Sequence, residues 1–170
     1  MDAAEMLARG FTRETAIRRD RSGAWFDGSE RITHPRLVLS FDGWIDRAPD
    51  GRYCLHNRIN WAFVQIEGPP YFVRSVTLHA DSVELHLSGE TSERLDVSTL
   101  RIGPDDALWC DVRGGRVPAC FDNHAVVQLG ELLGEDEAGV FLQVGGAIVR
   151  PPRMQEPMAT WDPSKGHVSA

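Results

Sequence analysis

The sequence predicts an α+β protein built as two related hairpin, helix and strand units with antiparallel sheets. Three observations predict it. First, the stretch Trp25 to Glu67 opens on a tight turn, Trp25-Phe26-Asp27-Gly28, passes through a Pro-initiated apolar helix, and returns as strands. Second, the same order of events recurs later. Trp109-Cys110-Asp111 and Gly114-Gly115 come first, then an apolar segment after Asp122, then Gly139 and Val140 to Val144. Third, Val83, Leu85 and Leu87 alternate with Glu84, His86 and Ser88, the period-two pattern of a half-buried strand. Trp25 to Tyr53 spans 28 positions and Trp109 to Phe141 spans 32, a difference that the loop after the second helix absorbs.

Taken in order, residues 1–15 read as an N-terminal extension with one short helix limited by Gly10. Residues 16–70 form the N-terminal half. From Ala16 to Ile32, charged residues interleave with Ile17, Trp25 and Phe26 around Ser22-Gly23 and Asp27-Gly28, which predicts short strands. Thr33 is read as the N-cap of a helix with Pro35 in its first turn, and Leu37, Phe41, Trp44 and Ile45 as its apolar stripe. Gly43, within the stripe, marks either close approach of another backbone or the end of the helix. Ala48-Pro49-Asp50-Gly51 ends that segment, and Arg52 to His56 then pairs with Ile59 to Ile66.

Residues 71–150 form the C-terminal half. Tyr71 to His79 and Val83 to Ser88 make a hairpin with Ala80-Asp81 as its turn, Leu95 to Val97 a short strand, and Gly103-Pro104-Asp105-Asp106 a joint. Ala107 to Val112 turns at Gly114-Gly115 into a strand that Pro118 assigns to an edge or a bulge. Asp122 caps a helix whose apolar face is Val126, Leu129, Leu132 and Leu133, with Gly130 echoing Gly43. Val140 to Val144 and Ala147 to Val149 close the fold. Residues 151–170 read as a loosely ordered tail, from which Trp161 has the option of folding back.

Composition narrows the function. A net charge of −7, scattered rather than massed, argues against nucleic acid and anionic membrane as partners. Met1 to Gly10 carries Asp2 and Glu5 without an apolar run, no segment has the length of a membrane span, and the three cysteines are widely spaced; together these predict a cytoplasmic protein. His79 and His86 share a hairpin face, but with Ala80-Asp81 as the turn they lie about 13 Å apart along the ladder, too far for one zinc. Cys110 faces Ala119 across the second hairpin, so Cys120 points to the other side of the sheet and no disulfide joins them. The sequence holds neither a Gly-x-Ser-x-Gly elbow nor a Walker loop, and no cofactor or metal is expected.

What remains is a binding cleft between the halves. Trp25, Trp44, Trp61 and Trp109 supply aromatic surface, and Arg36, Arg52, Arg74 and Arg113 supply charge, a combination suited to a planar anion or a peptide surface. Glu67, beside the rigid Pro69-Pro70, is the carboxylate to test first. The alternative is that the tryptophans fill the core and the arginines solvate its rim. Three functional classes follow: a small-ligand module, a protein-interaction module using the Pro118 strand or the Trp161 tail, and an enzyme of unrecognised type.

Several segments together resemble a bacterial family, that of domain of unknown function 1285. They are Trp25-Phe26 with Asp27-Gly28, Ile32 and the Pro-started helix with Phe41, Gly51-Arg52-Tyr53, Ile66-Glu67-Gly68-Pro69-Pro70-Tyr71, Val112-Arg113-Gly114-Gly115 and Gly145-Gly146. The resemblance runs from Ile17 to Arg150. It implies a duplicated α+β arrangement whose C-terminal half is like a pleckstrin-homology barrel, with a ligand site between the halves for something nucleotide-like, in signal transduction. No reaction is implied. Gly68 stands where the family usually has Asp before its Pro, and Val144 where it has Ser, so side-chain roles at those two positions do not carry over; Glu67 does.

Overall fold

The computed structural model describes residues 13–155. The expected N-terminal helix and Trp161 lie outside them. Strands β1 (Ile17–Arg19), β2 (Trp25–Asp27) and β3 (Glu30–Ile32) are followed by helix α1 (Pro35–Trp44), and the chain returns as β4 (Ile45–Arg47), β5 (Tyr53–His56) and β6 (Trp61–Phe63). A two-residue β7 (Gln65–Ile66) then pairs parallel with β1, giving the sheet order β3-β2-β1-β7, while β4-β5-β6 is a separate antiparallel meander. The expected single strand Ile59 to Ile66 is therefore two strands in two sheets. Val64, buried between them, donates its N–H to Tyr53. Ile59 stands in the turn instead. Helix α1 starts after His34 rather than Thr33, and Ile45 opens β4, so Ala48-Pro49-Asp50-Gly51 turns a hairpin rather than ending the helix.

The second half is organised on β8 (Tyr71–Leu78), β9 (Val83–Leu87), β10 (Thr91–Arg94), β11 (Arg101–Ile102), β12 (Leu108–Val112) and β13 (Val117–Phe121), in the sheet order β10-β9-β8-β13-β12-β11. The registers follow the turns. His79 donates to Ser82, His86 lies opposite Ser75, and Cys110 lies opposite Ala119. The sheet is open, with edges at β10 and β11; no barrel closes among the described residues. Leu95 to Val97 is not a strand. The Asp96 carboxylate accepts from the N–H and hydroxyl of Ser98 and winds Val97–Thr99 into a 3-10 turn.

Pro118 sits inside this sheet, not at an edge. Asp111, its cross-strand partner, turns its N–H away to the Thr99 hydroxyl at 3.0 Å, so the pair is not hydrogen-bonded. The Pro118 nitrogen thus faces the β8 side one residue before β8 begins, where no ladder bond is required.

Helix α2 (Asn123–Leu129) and a 3-10 turn at Gly130–Leu132 lead into a second meander, β14 (Leu133–Asp136), β15 (Gly139–Val144) and β16 (Ala147–Val149). The buried residues of α2 are Ala125 and Leu129. Val126 of the expected stripe lies on the exposed side of the helix, and Leu133 is exposed beyond it because the helix stops at Leu129. Asp122 stands at the N-cap, but its carboxylate goes to Arg74 at 2.9 Å instead of to the helix. Hairpin, helix and meander therefore recur in the same order in both halves. One apolar core crosses the boundary at 70/71, joining Trp25, Phe41 and Ile45 to Tyr71, Val73, Val112 and Leu129. The start of the expected loose tail is tied down: Pro152 and Met154 flank Arg153 with hydrogen bonds to both backbone groups of Ile102 at 2.8 Å, adding a parallel bridge to β11.

Candidate functional site

The seam between the halves is built where the C-terminus of α1 meets the second sheet. A helix end leaves carbonyls without partners, and here they are satisfied from across the seam. The Tyr71 hydroxyl donates to Gly43 at 3.1 Å or to Ile45 at 2.8 Å, and Arg113 Nη2 donates to the Gly43 carbonyl. Arg113 Nε and Nη2 lie 3.1 and 2.8 Å from the Tyr71 hydroxyl. A cation beside carbonyls at a helix C-terminus also complements the helix dipole. Burial pushes the Tyr71 phenol up to about 12, against the Arg113 cation, so it is neutral at physiological pH. The contact has little room. A Cβ at Gly89, which has φ +77°, would stand 2.3 Å from the Gly43 nitrogen.

Beside this joint opens a cleft of about 630 Å³ lined by Gly43, Trp44, His56, Asn57, Arg58, Ile59, Thr91 and Arg113. Helix α1, the β5–β6 turn, β10 and the β12–β13 turn all contribute, so it lies between the halves. The β5–β6 turn is held by Asn57, whose side-chain oxygen accepts from the N–H groups of Ile59 and Asn60 at 2.9 Å. That Asx turn presents Arg58 and a 94% exposed Ile59 at the rim.

Arg113 is half-buried, in a left-handed turn conformation (φ 55°). Its backbone N–H donates to the Glu93 carboxylate at 3.0 Å, while its guanidinium has no carboxylate within ion-pair distance and Nη1 has no acceptor among the described residues. Asp46, which feels its charge, is bound by Arg116 through two hydrogen bonds of 2.9 and 3.0 Å. Burial alone would raise the Asp46 carboxyl, but those bonds hold it below the usual range.

Of the tryptophans and arginines expected at a cleft between the halves, Trp44 and Arg113 line this one. Trp25 is fully buried, edge-on to Phe41, with Nε1 donating to Asp42 at 2.9 Å. Trp109 is 4% exposed and packs against Cys120 and Met154. Both face the core, as the alternative sequence reading had it. Trp61 is half-buried under Arg13, whose guanidinium carbon lies 4.0 Å from the ring centroid. Arg52 covers Phe63 at 3.4 Å and pairs with Glu14 and Asp50, on a different groove. Arg74 pairs with Asp122 over Phe72. Arg36 is exposed on the first turn of α1, and Glu67 is exposed, its N–H donating to Arg19.

Sequence reasoning missed His56, Arg58, Ile59 and Thr91. The available signal was His56-Asn57-Arg58, read only as a connection although loops on rigid supports are where binding groups concentrate. The histidines of the β8–β9 hairpin are engaged locally: His86 lies 2.7 Å from the Thr77 hydroxyl and 3.1 Å from that of Ser92, and His79 lies 3.3 Å from Glu84. Burial raises all three thiols, Cys54 to about 11 and Cys120 to about 12, with Cys110 higher still, so they are protonated and unreactive. No helix of the described residues is long and apolar enough to cross a membrane.

No family model and no curated protein matches the sequence. Two solved structures share the fold. A DUF1285 family protein from Silicibacter pomeroyi DSS-3 is 18% identical with a TM-score of 0.61, over 79% of this chain and 78% of that one. A second, from Shewanella baltica OS155, is 15% identical with a TM-score of 0.54, over 69% of this chain and 91% of its own. At these identities the likeness is one of fold, and the chain is a protein of DUF1285-like fold, the arrangement that the residues from Ile17 to Arg150 implied.

Proposed function

We propose that this protein is a ligand-binding module whose site is the seam cleft, taking a small anion with a planar or apolar body, nucleotide-like ligands among them, in a signalling role. One observation supports the reading: the half-buried Arg113 guanidinium lines the cleft with no carboxylate partner and with Nη1 unclaimed among the described residues. A partly desolvated arginine is a strong partner for carboxylate or phosphate. Arg58 adds a second cation at the rim, and Trp44 and Ile59 give the apolar surface against which a ring can lie. The adjacent Tyr71 hydroxyl holds Arg113 in place, so the charge is pre-positioned, which lowers the ordering cost of binding.

The test is calorimetric titration with inorganic phosphate and then with nucleoside mono-, di- and triphosphates. Heat that is lost in Arg113→Gln, weakened in Arg58→Gln and retained in Arg52→Gln is the expected pattern. Arg58 is exposed and its side chain forms no hydrogen bond or ion pair with the other described residues, so the middle variant separates binding from stability. Absence of heat with every nucleotide removes the nucleotide version, and unchanged heat in both cleft variants removes the site.

A further inference from the structure

The outer edge of the second meander points to a function separate from the cleft. Among the described residues strand β14 pairs only with β15; of its outward backbone groups the Leu133 N–H is taken by the Gly130 carbonyl, while the Glu135 N–H and the Leu133 and Glu135 carbonyls make no backbone hydrogen bond. An open edge of this kind is a template for another strand unless charge, proline or a covering segment blocks it. The opposite case is present in the same molecule, since β11 is covered by Pro152–Met154. Around β14 the exposed residues are apolar and acidic. Leu133 is 51% exposed, Val140 60%, and Val127, on the last turn of α2, 76%. Glu131, Glu135 and Glu137 are exposed beside them, and none has an ion-pair partner among the described residues, whereas Asp136 is bound by Arg150.

The register shows how an added strand would sit. Leu133 lies opposite Leu142, and Glu135 opposite Val140, on one face of the meander; that face continues into the core through Leu142, which is 5% exposed. A strand laid along β14 would extend this face, placing one side chain beside Leu133 and the next on the same face beside Glu135. A second copy of this chain does not suit the edge, because self-pairing would bring the Glu131, Glu135 and Glu137 group of one copy beside that of the other, and like charges on neighbouring strands repel.

We infer that β14 is a docking edge for an extended segment of a partner protein that carries both apolar and basic side chains, bound by strand addition. Main-chain bonds to β14 supply the pairing, Leu133 and Val140 the apolar contact, and the three glutamates the preference for Lys or Arg.

The experiment uses the full chain and two short labelled peptides of valine and threonine, one with interspersed lysines and one with glutamates in their place, followed by fluorescence anisotropy. Binding of the lysine peptide, weakening with salt, and roughly tenfold weaker for the Glu131→Lys/Glu135→Lys/Glu137→Lys variant, is expected. The reversed variant should favour the glutamate peptide. Slowed amide exchange at residues 133–136 on peptide addition locates the contact, and a bound Arg113→Gln variant shows that the cleft is not involved. Equal affinity of the two peptides, no change on charge reversal, or protection elsewhere than β14 would overturn the inference. So would sedimentation showing that the free chain self-associates through this edge and releases no site for the peptide.

Discussion

The two helix-and-meander units follow one order of elements and anchor their helices in opposite ways. Helix α1 ends against the other half, where Tyr71 and Arg113 satisfy the Gly43 and Ile45 carbonyls. Helix α2 ends on itself, with Gly130 donating to Val127 and Leu133 to Gly130 through a 3-10 turn. The glycines that look like echoes in the sequence differ accordingly. Gly43 faces the Gly89 carbonyl oxygen 3.0 Å from where its Cβ would be, whereas around Gly130 nothing lies within 4 Å. Matching order thus does not mean matching role. The unit with the borrowed cap carries the seam and its cleft, and the self-contained unit leaves a sheet edge open.

Three substitutions break or sharpen that contrast. Gly89→Ala should be the most damaging, because the added methyl meets Gly43 backbone from a left-handed conformation; a loss of about 3 kcal/mol in urea unfolding is expected. A loss under about 0.5 kcal/mol would mean that the seam relaxes freely. Next, the Arg116–Asp46 link is set by pH. Asp46 has a folded pKa below its unfolded value, so its contribution is present above the unfolded value and is lost as pH falls through the folded one. Asp46→Asn should remove up to about 1 kcal/mol near neutrality and flatten the acid limb of the stability profile, measured by urea midpoints across a pH series. Smallest, and opposite in sign, Gly130→Ala should raise stability by about 0.5 kcal/mol. The site is open and already in right-handed helical conformation, so the gain comes from restricting the unfolded chain.

What could be read in the sequence was what short-range chemistry decides. Ala80-Asp81 and Gly114-Gly115 fix their hairpin registers, so His86 opposite Ser75 and Cys110 opposite Ala119 could be counted out in advance. The parallel pairing of Gln65–Ile66 with β1 was not legible, because β7 is two residues long and its partner lies far back in the chain. Nor was β14, whose Gly134, Glu135 and Asp136 have low strand propensity; there Phe141 lies across Gly134 and fills the space of a side chain. Among the site residues, Arg113 was visible from its turn at the expected seam. Trp25 and Trp109 were not separable from surface aromatics, since in a three- to five-residue strand one step of register decides between core and solvent.

The tie between Pro152–Met154 and β11 has a practical consequence. Ile102 pairs with Leu108, at the end of β12 away from Arg113, so the tie is about 17 Å along the strand from the cleft's arginine. It also lies on the border opposite Thr91, about 24 Å across six strands. A dye or surface tether attached at Gln155, next to this tie, would leave both the seam and its occupant unobstructed, which makes that position the handle of choice for immobilised assays.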